Sequence, residues 1–137
     1  GGAGAGRNRG GEAAEGEWCL FVDDDIVAAP ELVAEHLAAQ EAAGGTVALG
    51  AIELRLRERR SGLAAHLGRW WHEHYHELDA GEVDPSFWDC YTGNLSVPVA
   101  AFKEVGGLDE SLPRAEDVEL AYRLLRAGMS TSPDSTW

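Results

Sequence analysis

Three consecutive carboxylates, Asp23-Asp24-Asp25, follow directly on the apolar run Trp18-Cys19-Leu20-Phe21-Val22. Bunched negative charges repel unless a hard cation holds them, and Mg²⁺ or Mn²⁺ typically takes one or two carboxylates together with the oxygens of a diphosphate. In an open α/β sheet the ligand crevice lies beyond the carboxyl ends of the strands, so these side chains are expected where a nucleotide diphosphate would sit. On an extended chain Asp23 and Asp25 share one side and Asp24 takes the other. A plainer account of the same residues is an acidic turn that favours the dipole of the helix after it. A calcium-binding EF-hand loop is excluded, because Val27 and Ala28 stand where a ligand and the glycine are required. A second pair, Glu116-Asp117, begins the last predicted helix. There it either complements the helix dipole or supplies a general base, provided folding brings a carboxylate within about 3 Å of an acceptor hydroxyl.

A third pattern competes with these two. His72-Glu73-His74-Tyr75-His76 satisfies HExxH, the helix in which two histidines one turn apart bind zinc and the glutamate acts as base. The apolar stripe of that helix centres near His74, which turns His72 and His76 about 140 to 180° away, toward solvent. The metzincin extension also fails, since Asp79 and Glu82 stand where glycine and histidine are needed. Trp70 and Trp71 lie on the apolar stripe and read as core, whereas Trp88, in a loop beside Asp89, is the better candidate for stacking on a ligand.

The elements that must position these groups alternate between strand and helix. Trp18–Val22 reads as a central parallel strand covered on both faces. Pro30 suits the first turn of a helix carrying Val33 and Leu37, which Gly44-Gly45 stops, and Thr46–Leu54 reads as a second strand with Val47 and Leu49 inward. A strand, a helix and a strand make a βαβ unit, so the fold class is α/β. After the basic run Arg55–Arg60, Ser61 caps a helix to Leu78, with Leu63, Leu67, Trp70, Trp71, His74 and Leu78 on one stripe. Asp79–Asp89 is loop, Tyr91–Val97 contains a short strand, Pro98–Glu104 a short helix, and Ala115–Ala127 the last helix with Gly128 after it. The opening Gly1–Gly11 reads as a loose terminus and Ser130–Trp137 as an uninformative end.

Composition narrows the class further. The 137 residues are 45% hydrophobic and 26% charged, in the ordinary globular range. A net charge of −13 repels phosphate backbones, which argues against nucleic acid as a partner. No uncharged apolar run approaches the roughly 20 residues that cross a bilayer, and no GxxxxGK phosphate loop occurs. Cys19 and Cys90 form neither a disulfide framework nor a CxxC pair, which suits a reducing cytoplasmic setting.

Taken in order, these segments resemble glycosyltransferase family 2. The likeness rests on Gly6-Arg7-Asn8-Arg9-Gly10 before a helix, Gly16-Glu17-Trp18 entering the strand, the DxD-type Asp23-Asp24-Asp25, and Thr92-Gly93-Asn94-Leu95-Ser96. It continues through Phe102, Val105-Gly106-Gly107-Leu108-Asp109-Glu110 and Glu116-Asp117-Val118-Glu119-Leu120 to Arg123-Leu124 and Gly128. The resemblance implies a GT-A, Rossmann-like α/β/α sandwich, with residues 1–137 as the central and C-terminal portion of a catalytic domain. It implies an inverting transfer of a sugar from a nucleotide-diphospho-sugar donor to a hydroxyl of a saccharide or lipid-linked acceptor.

By the same resemblance, Asp23 and Asp24 approach the nucleoside and ribose, and Asp25, with Asp23 beside it, binds Mg²⁺ or Mn²⁺ on the donor diphosphate. Arg7 and Asn8 lie on the nucleotide side, Gly93 and Asn94 line the donor-sugar pocket, Asp117 is the general base, and Glu116 and Trp88 contact the acceptor. Val99 replaces a basic residue that often follows the Asn-Leu-Ser-Val-Pro stretch, and no QxxRW block follows the last helix, which argues against a processive polysaccharide synthase. Two alternatives stand beside this reading: an HExxH zinc hydrolase using His72, Glu73 and His76, and a catalytically silent piece whose exposed sheet edge favours self-association. A membrane association at the inner face would come from other parts of a longer protein.

Overall fold

The computed structural model describes residues 2–52 and 62–133. Along them run α1 (Ala3–Ala13), β1 (Trp18–Val22), α2 (Leu32–Ala43), β2 (Val47–Leu49), α3 (Gly62–Asp79), a 3₁₀ turn (Phe87–Asp89), β3 (Asn94–Pro98), α4 (Val99–Glu104), α5 (Glu116–Arg126) and β4 (Thr131–Pro133). The second strand, expected over Thr46–Leu54, spans only Val47–Leu49, and residues 50–52 lie beyond it; the expected Leu54 end, the basic run Arg55–Arg60 and the Ser61 cap lie outside the described residues.

The four strands form one sheet in the order β1-β3-β2-β4. The architecture is α/β, and β1 and β2 are parallel to each other, because both run antiparallel to β3. The βαβ expectation needs one correction: β3 is inserted between its two strands. As a result β1 is an edge strand with an antiparallel neighbour, not a central parallel strand, and Trp18, Cys19 and Leu20 are only half-buried. β4, which carries no apolar alternation, is held parallel to β2 from Val47↔Thr131 to Leu49↔Pro133.

Strand alternation assigns the two faces of the sheet different chemistry. Leu95 and Val97 of β3, Phe21 of β1, and Val47 and Leu49 of β2 point into one apolar core shared with Phe102 of α4, Leu108, and Leu120, Ala121 and Leu124 of α5. The opposite face of β3 presents Asn94 and Ser96, and these meet α2. The sequence places Val33 and Leu37 on the inner face of α2, but both are exposed, and the buried residues are His36 and Gln40. The His36 Nε2–H donates to Asn94 Oδ1 at 2.8 Å, and Ser96 Oγ sits 2.9 Å from His36 Nδ1. Gln40 Nε2 donates to Thr46 O, Ser96 O and Ser96 Oγ, and its Oε1 accepts from Thr46 N. A helix thus docks on a sheet through a saturated polar network, with apolar side chains left outside. α2 ends as expected at Gly44, whose φ of 67° a glycine adopts without strain.

The glycine-rich opening is a helix and not a loose terminus. α1 packs closely because one of its glycines lies where a neighbour comes nearest: a Cβ at Gly11 would stand 2.3 Å from Phe102 Cε1, whereas one at Gly4 would make ordinary contacts with Leu108 and Glu116. Asn8, on the same face, binds the backbone of Leu108 in both directions, with Nδ2 donating to its carbonyl at 2.9 Å and Oδ1 accepting from its N–H at 2.8 Å. The turn after α4, at Gly106 and Gly107, is pinned from the other side by Arg123, which donates to Val105 O and Gly107 O.

α3 holds to the molecule by its C-terminal half. Leu78 is fully buried, whereas Leu63, Leu67 and Trp70 of the expected core stripe are exposed. Trp71 is half-buried, packs on Tyr91 and donates its indole N–H to Ile52 O. His74 Nε2 reaches Asp89 Oδ1 at 2.6 Å, under a stacked Trp70. Burial alone would raise the Asp89 carboxyl, but the hydrogen bonds from His74 and from Ser86 N and Oγ outweigh it and leave the group below the usual carboxylate range.

Two predictions follow from this packing. Gly11→Ala should destabilise the fold by about 1 to 3 kcal/mol through overlap with the Phe102 ring, whereas Gly10→Ala, with nothing near its Cβ, should be neutral or stabilising by up to about 1 kcal/mol. Urea denaturation of the pair separates the effects. Because the folded Asp89 carboxyl titrates below its unfolded value, its contribution is present above about pH 4 and fades as pH falls through the depressed folded value. Asp89→Asn should lower stability at pH 7 by about 1 to 3 kcal/mol and flatten the acid limb of a stability-versus-pH curve.

Candidate active site

The carboxyl end of β1 carries the acidic run, and the backbone there departs from the extended chain. Asp23 continues the ladder by one step, its N–H donating to Gly93 O, and the chain then turns, with Ile26 N–H donating to Asp23 O. The expected two-sided alternation of the three aspartates therefore stops at Asp23, and Asp24 and Asp25 lie exposed in the turn. Gly93 leaves space that its neighbours use: a Cβ would lie 2.9 Å from Ile52 Cδ1 and 3.2 Å from Asp23 Oδ2, so both side-chain ends would have to shift. The absent side chain leaves room for the Asp23 carboxylate to lie over the start of β3.

Glu116 of the second acidic pair is brought to the same corner by Arg7. Its Nη2 is ion-paired with Asp23 Oδ1, and its Nη1 donates to Glu116 Oε1 at 3.1 Å. One guanidinium on α1 thereby joins the end of β1 to the start of α5, and it is itself only 19% exposed. α5 begins at an unusual residue. Ala115 has φ 59°, the one non-glycine with positive φ among the described residues, at the residue that turns the chain into Glu116.

Glu116 and Asp117 point to different neighbours. Asp117 Oδ1 accepts from Val118 N–H at 2.8 Å, and its negative charge acts on Cys90 and Tyr91. Burial first, then the charges of Asp89 and Asp117, pushes the Cys90 thiol up to about 12, and the same causes raise the Tyr91 phenol. Tyr91 also lines a shallow hollow with Trp71, His74, Tyr75 and Asp89. The Tyr75 phenol is raised chiefly by burial, with Tyr91 and Asp89 adding to it.

The remaining expected residues divide by exposure. Trp88 is 64% exposed on the 3₁₀ turn, available to a ligand, and its ring packs on Phe87. Asn8 is committed to Leu108 and Glu110, and Asn94 is turned inward, its amide shared between His36 and Ala51 O. A Cβ at Gly50 would overlap that amide at 2.0 Å, so Gly50 is the space Asn94 occupies. His72, Glu73 and His76 lie on the solvent face of α3, the two imidazoles 4.4 Å apart between ring centres, and no third ligand joins them in a metal-binding group among the described residues.

The His74–Asp89 contact was missed on sequence, although Ser86-x-x-Asp89 is a capping-box spacing that could have flagged the carboxylate. Arg7 as a bridge had no local signal at all, since its partners are remote in sequence.

Among the described residues no group of three His, Cys, Asp or Glu side chains could by itself hold a metal ion, so the chain offers a divalent cation only part of a shell: the exposed carboxylate of Asp25, two residues on from Asp23, one of whose oxygens is engaged by Arg7. Mg²⁺ needs no more than one or two carboxylates when phosphate oxygens complete its shell.

No curated protein matches the chain. The family model described as Glycosyl transferase family 2 matches residues 1–106, which takes in α1, the acidic run and the Gly93-Asn94 corner. Matched over well more than half of its length, the chain belongs to glycosyl transferase family 2.

Proposed function

We propose that the acidic corner is the reaction centre of a metal-dependent, inverting sugar transfer from a nucleotide-diphospho-sugar to an acceptor hydroxyl. The observation that carries this reading is the Arg7 bridge, which gathers Asp23 and Glu116 from distant parts of the chain into one place. Membership of the family supports the general chemistry; the roles below are assigned on position.

Asp23 and Asp24, at the end of β1, face the nucleoside side of the donor, and Asp25 is the hard-oxygen ligand for Mg²⁺ or Mn²⁺. When bound, such a cation neutralises the charge that builds on the leaving diphosphate. Gly93 offers backbone with no side chain at the donor-sugar position, and Asn94 acts behind it as a support for that backbone. Asp117, next in the chain to the tethered Glu116, takes the proton of the acceptor hydroxyl as its oxygen attacks the anomeric carbon. Attack opposite the leaving group inverts the centre in one displacement, so one base suffices and no covalent sugar-enzyme species forms. Glu116 and the exposed Trp88 are placed on the acceptor side. A cytoplasmic setting goes with the reading, since Cys19 and Cys90 are both free thiols.

Titration with uridine, guanosine and thymidine diphospho-sugars in the presence of Mn²⁺ should reveal one class that binds, and Asp25→Asn should remove the Mn²⁺-dependent part of that affinity. Failure of all three classes to bind would defeat the proposal. With the donor identified, Asp117→Asn should lower turnover by about 10²- to 10⁴-fold while donor affinity stays within about twofold; turnover at the parent rate would remove Asp117 from the role of base.

A further inference from the structure

Asp23 and Glu116 meet at Arg7, with Asp24 and Asp25 in the exposed turn after Asp23 and Asp117 next in the chain to Glu116, and among the described residues Arg7 is the one cation ion-paired with any of these carboxylates. The guanidinium is not free to wander. The α1 backbone under it is fixed by the Asn8 clamp on Leu108 and by the close approach of Gly11 to Phe102. Its second partner, Glu116, is only 15% exposed. Asp23, by contrast, stands at the last ladder step before an exposed turn, with a side chain 42% exposed, and is the most exposed member of the trio.

We propose that Arg7 is a built-in counter-ion: in the donor-free protein it holds the Asp23 carboxylate in the place of the donor's cation, and it couples release of Asp23 to the acid pair of α5. The inference rests on the proposed function, which puts the cation beside Asp23 and Asp25. A guanidinium and a divalent cation on one carboxylate repel each other, so Asp23 turns from Arg7 toward the cation as donor binds. Arg7 keeps Glu116 and thereby keeps the first turn of α5, and Asp117 with it, at the corner. Arg7 acts through Asp23 and Glu116 and is a positioning residue. A structural strut and a competing counter-ion predict opposite signs when the charge is removed, because loss of a strut loosens a cation site whereas loss of a competitor tightens it.

The test is Mn²⁺ binding without nucleotide, read from the electron paramagnetic resonance signal of free Mn²⁺. Arg7→Met should tighten binding by about tenfold, the factor that one guanidinium beside an aspartate typically produces in the affinity of that carboxylate for a proton. Arg9→Met, the same charge change on the same helix away from Asp23, should stay within about twofold of the parent chain. In an Asp23→Asn background the effect of Arg7→Met should vanish. Equal Mn²⁺ affinity in the parent and Arg7→Met, or weaker binding in the variant, overturns the inference and leaves the proposed function standing. No Mn²⁺ binding by any of these proteins at millimolar concentration also overturns the inference, and the metal-dependent reading, in which donor phosphate completes the shell, then stands or falls on the donor titration. Should Arg7→Met lose its circular dichroism signature of folding, Arg7→Gln carries the same expectation, and unfolding of both variants shows Arg7 to be a strut and overturns the inference.

Discussion

A single guanidinium holding two carboxylates from distant elements is the interaction on which the rest of this molecule is arranged. Arginine suits it because the planar fork presents separate N–H groups to separate acceptors, which a lysine point charge cannot do. Half-buried charge is costly to leave unpaired, and removing one partner of such a contact typically costs more than the contact is worth as a whole. The surroundings therefore follow from the need to bring Arg7 to Asp23 and Glu116. α1 must lie close to α4 and to the loop at Leu108, and that closeness is what Gly11 and the Asn8 clamp provide. The loop in turn must hold its shape, and the Arg123 contacts with Val105 O and Gly107 O secure it from α5.

Glycine does two opposite jobs in this chain, and the difference explains the sequence reading of the N-terminus. At Gly44, Gly106 and Gly107 it permits positive φ, which is the property that composition-based reasoning associates with loops. At Gly11, Gly50 and Gly93 it permits contact, because a methyl group would collide with or crowd a neighbour. The second use has no local signature: it depends on what comes from elsewhere in the chain. A glycine-rich stretch is therefore read as loose when it is a helix packed tightly by its gaps.

What the sequence made legible was the local. The apolar run of β1, the stop at Gly44, the short helix after Pro98 and the last helix from Glu116 were all readable from pattern and punctuation, and so was the α/β class. The two acidic segments were readable as candidates. Their meeting was implied by the family resemblance alone, and the bridge that makes it had no local signal, because Arg7 sits in a glycine-rich segment far in sequence from both of its partners. The order of the sheet was hidden for a similar reason, since β3 enters between β1 and β2 from a later part of the chain. β4, at Thr131–Pro133, lacks apolar alternation and exists through pairing with β2. The inner face of α2 is invisible to apolar periodicity, because the contact is made by His36 and Gln40.

That polar joint bears on the site as well as on the fold. An apolar helix face can slide or rotate on a sheet at little cost, whereas a network in which every donor and acceptor is matched admits one register, since any shift leaves a buried group unsatisfied. His36 fixes the Asn94 amide, the other end of that amide holds Ala51 O, and the Gly50 N–H binds Asn94 O. The residue immediately before Asn94 is Gly93, over which the Asp23 carboxylate lies. The register that α2 imposes on β3 is thus delivered to the strand end where the Asp23 carboxylate lies over Gly93 and meets Arg7.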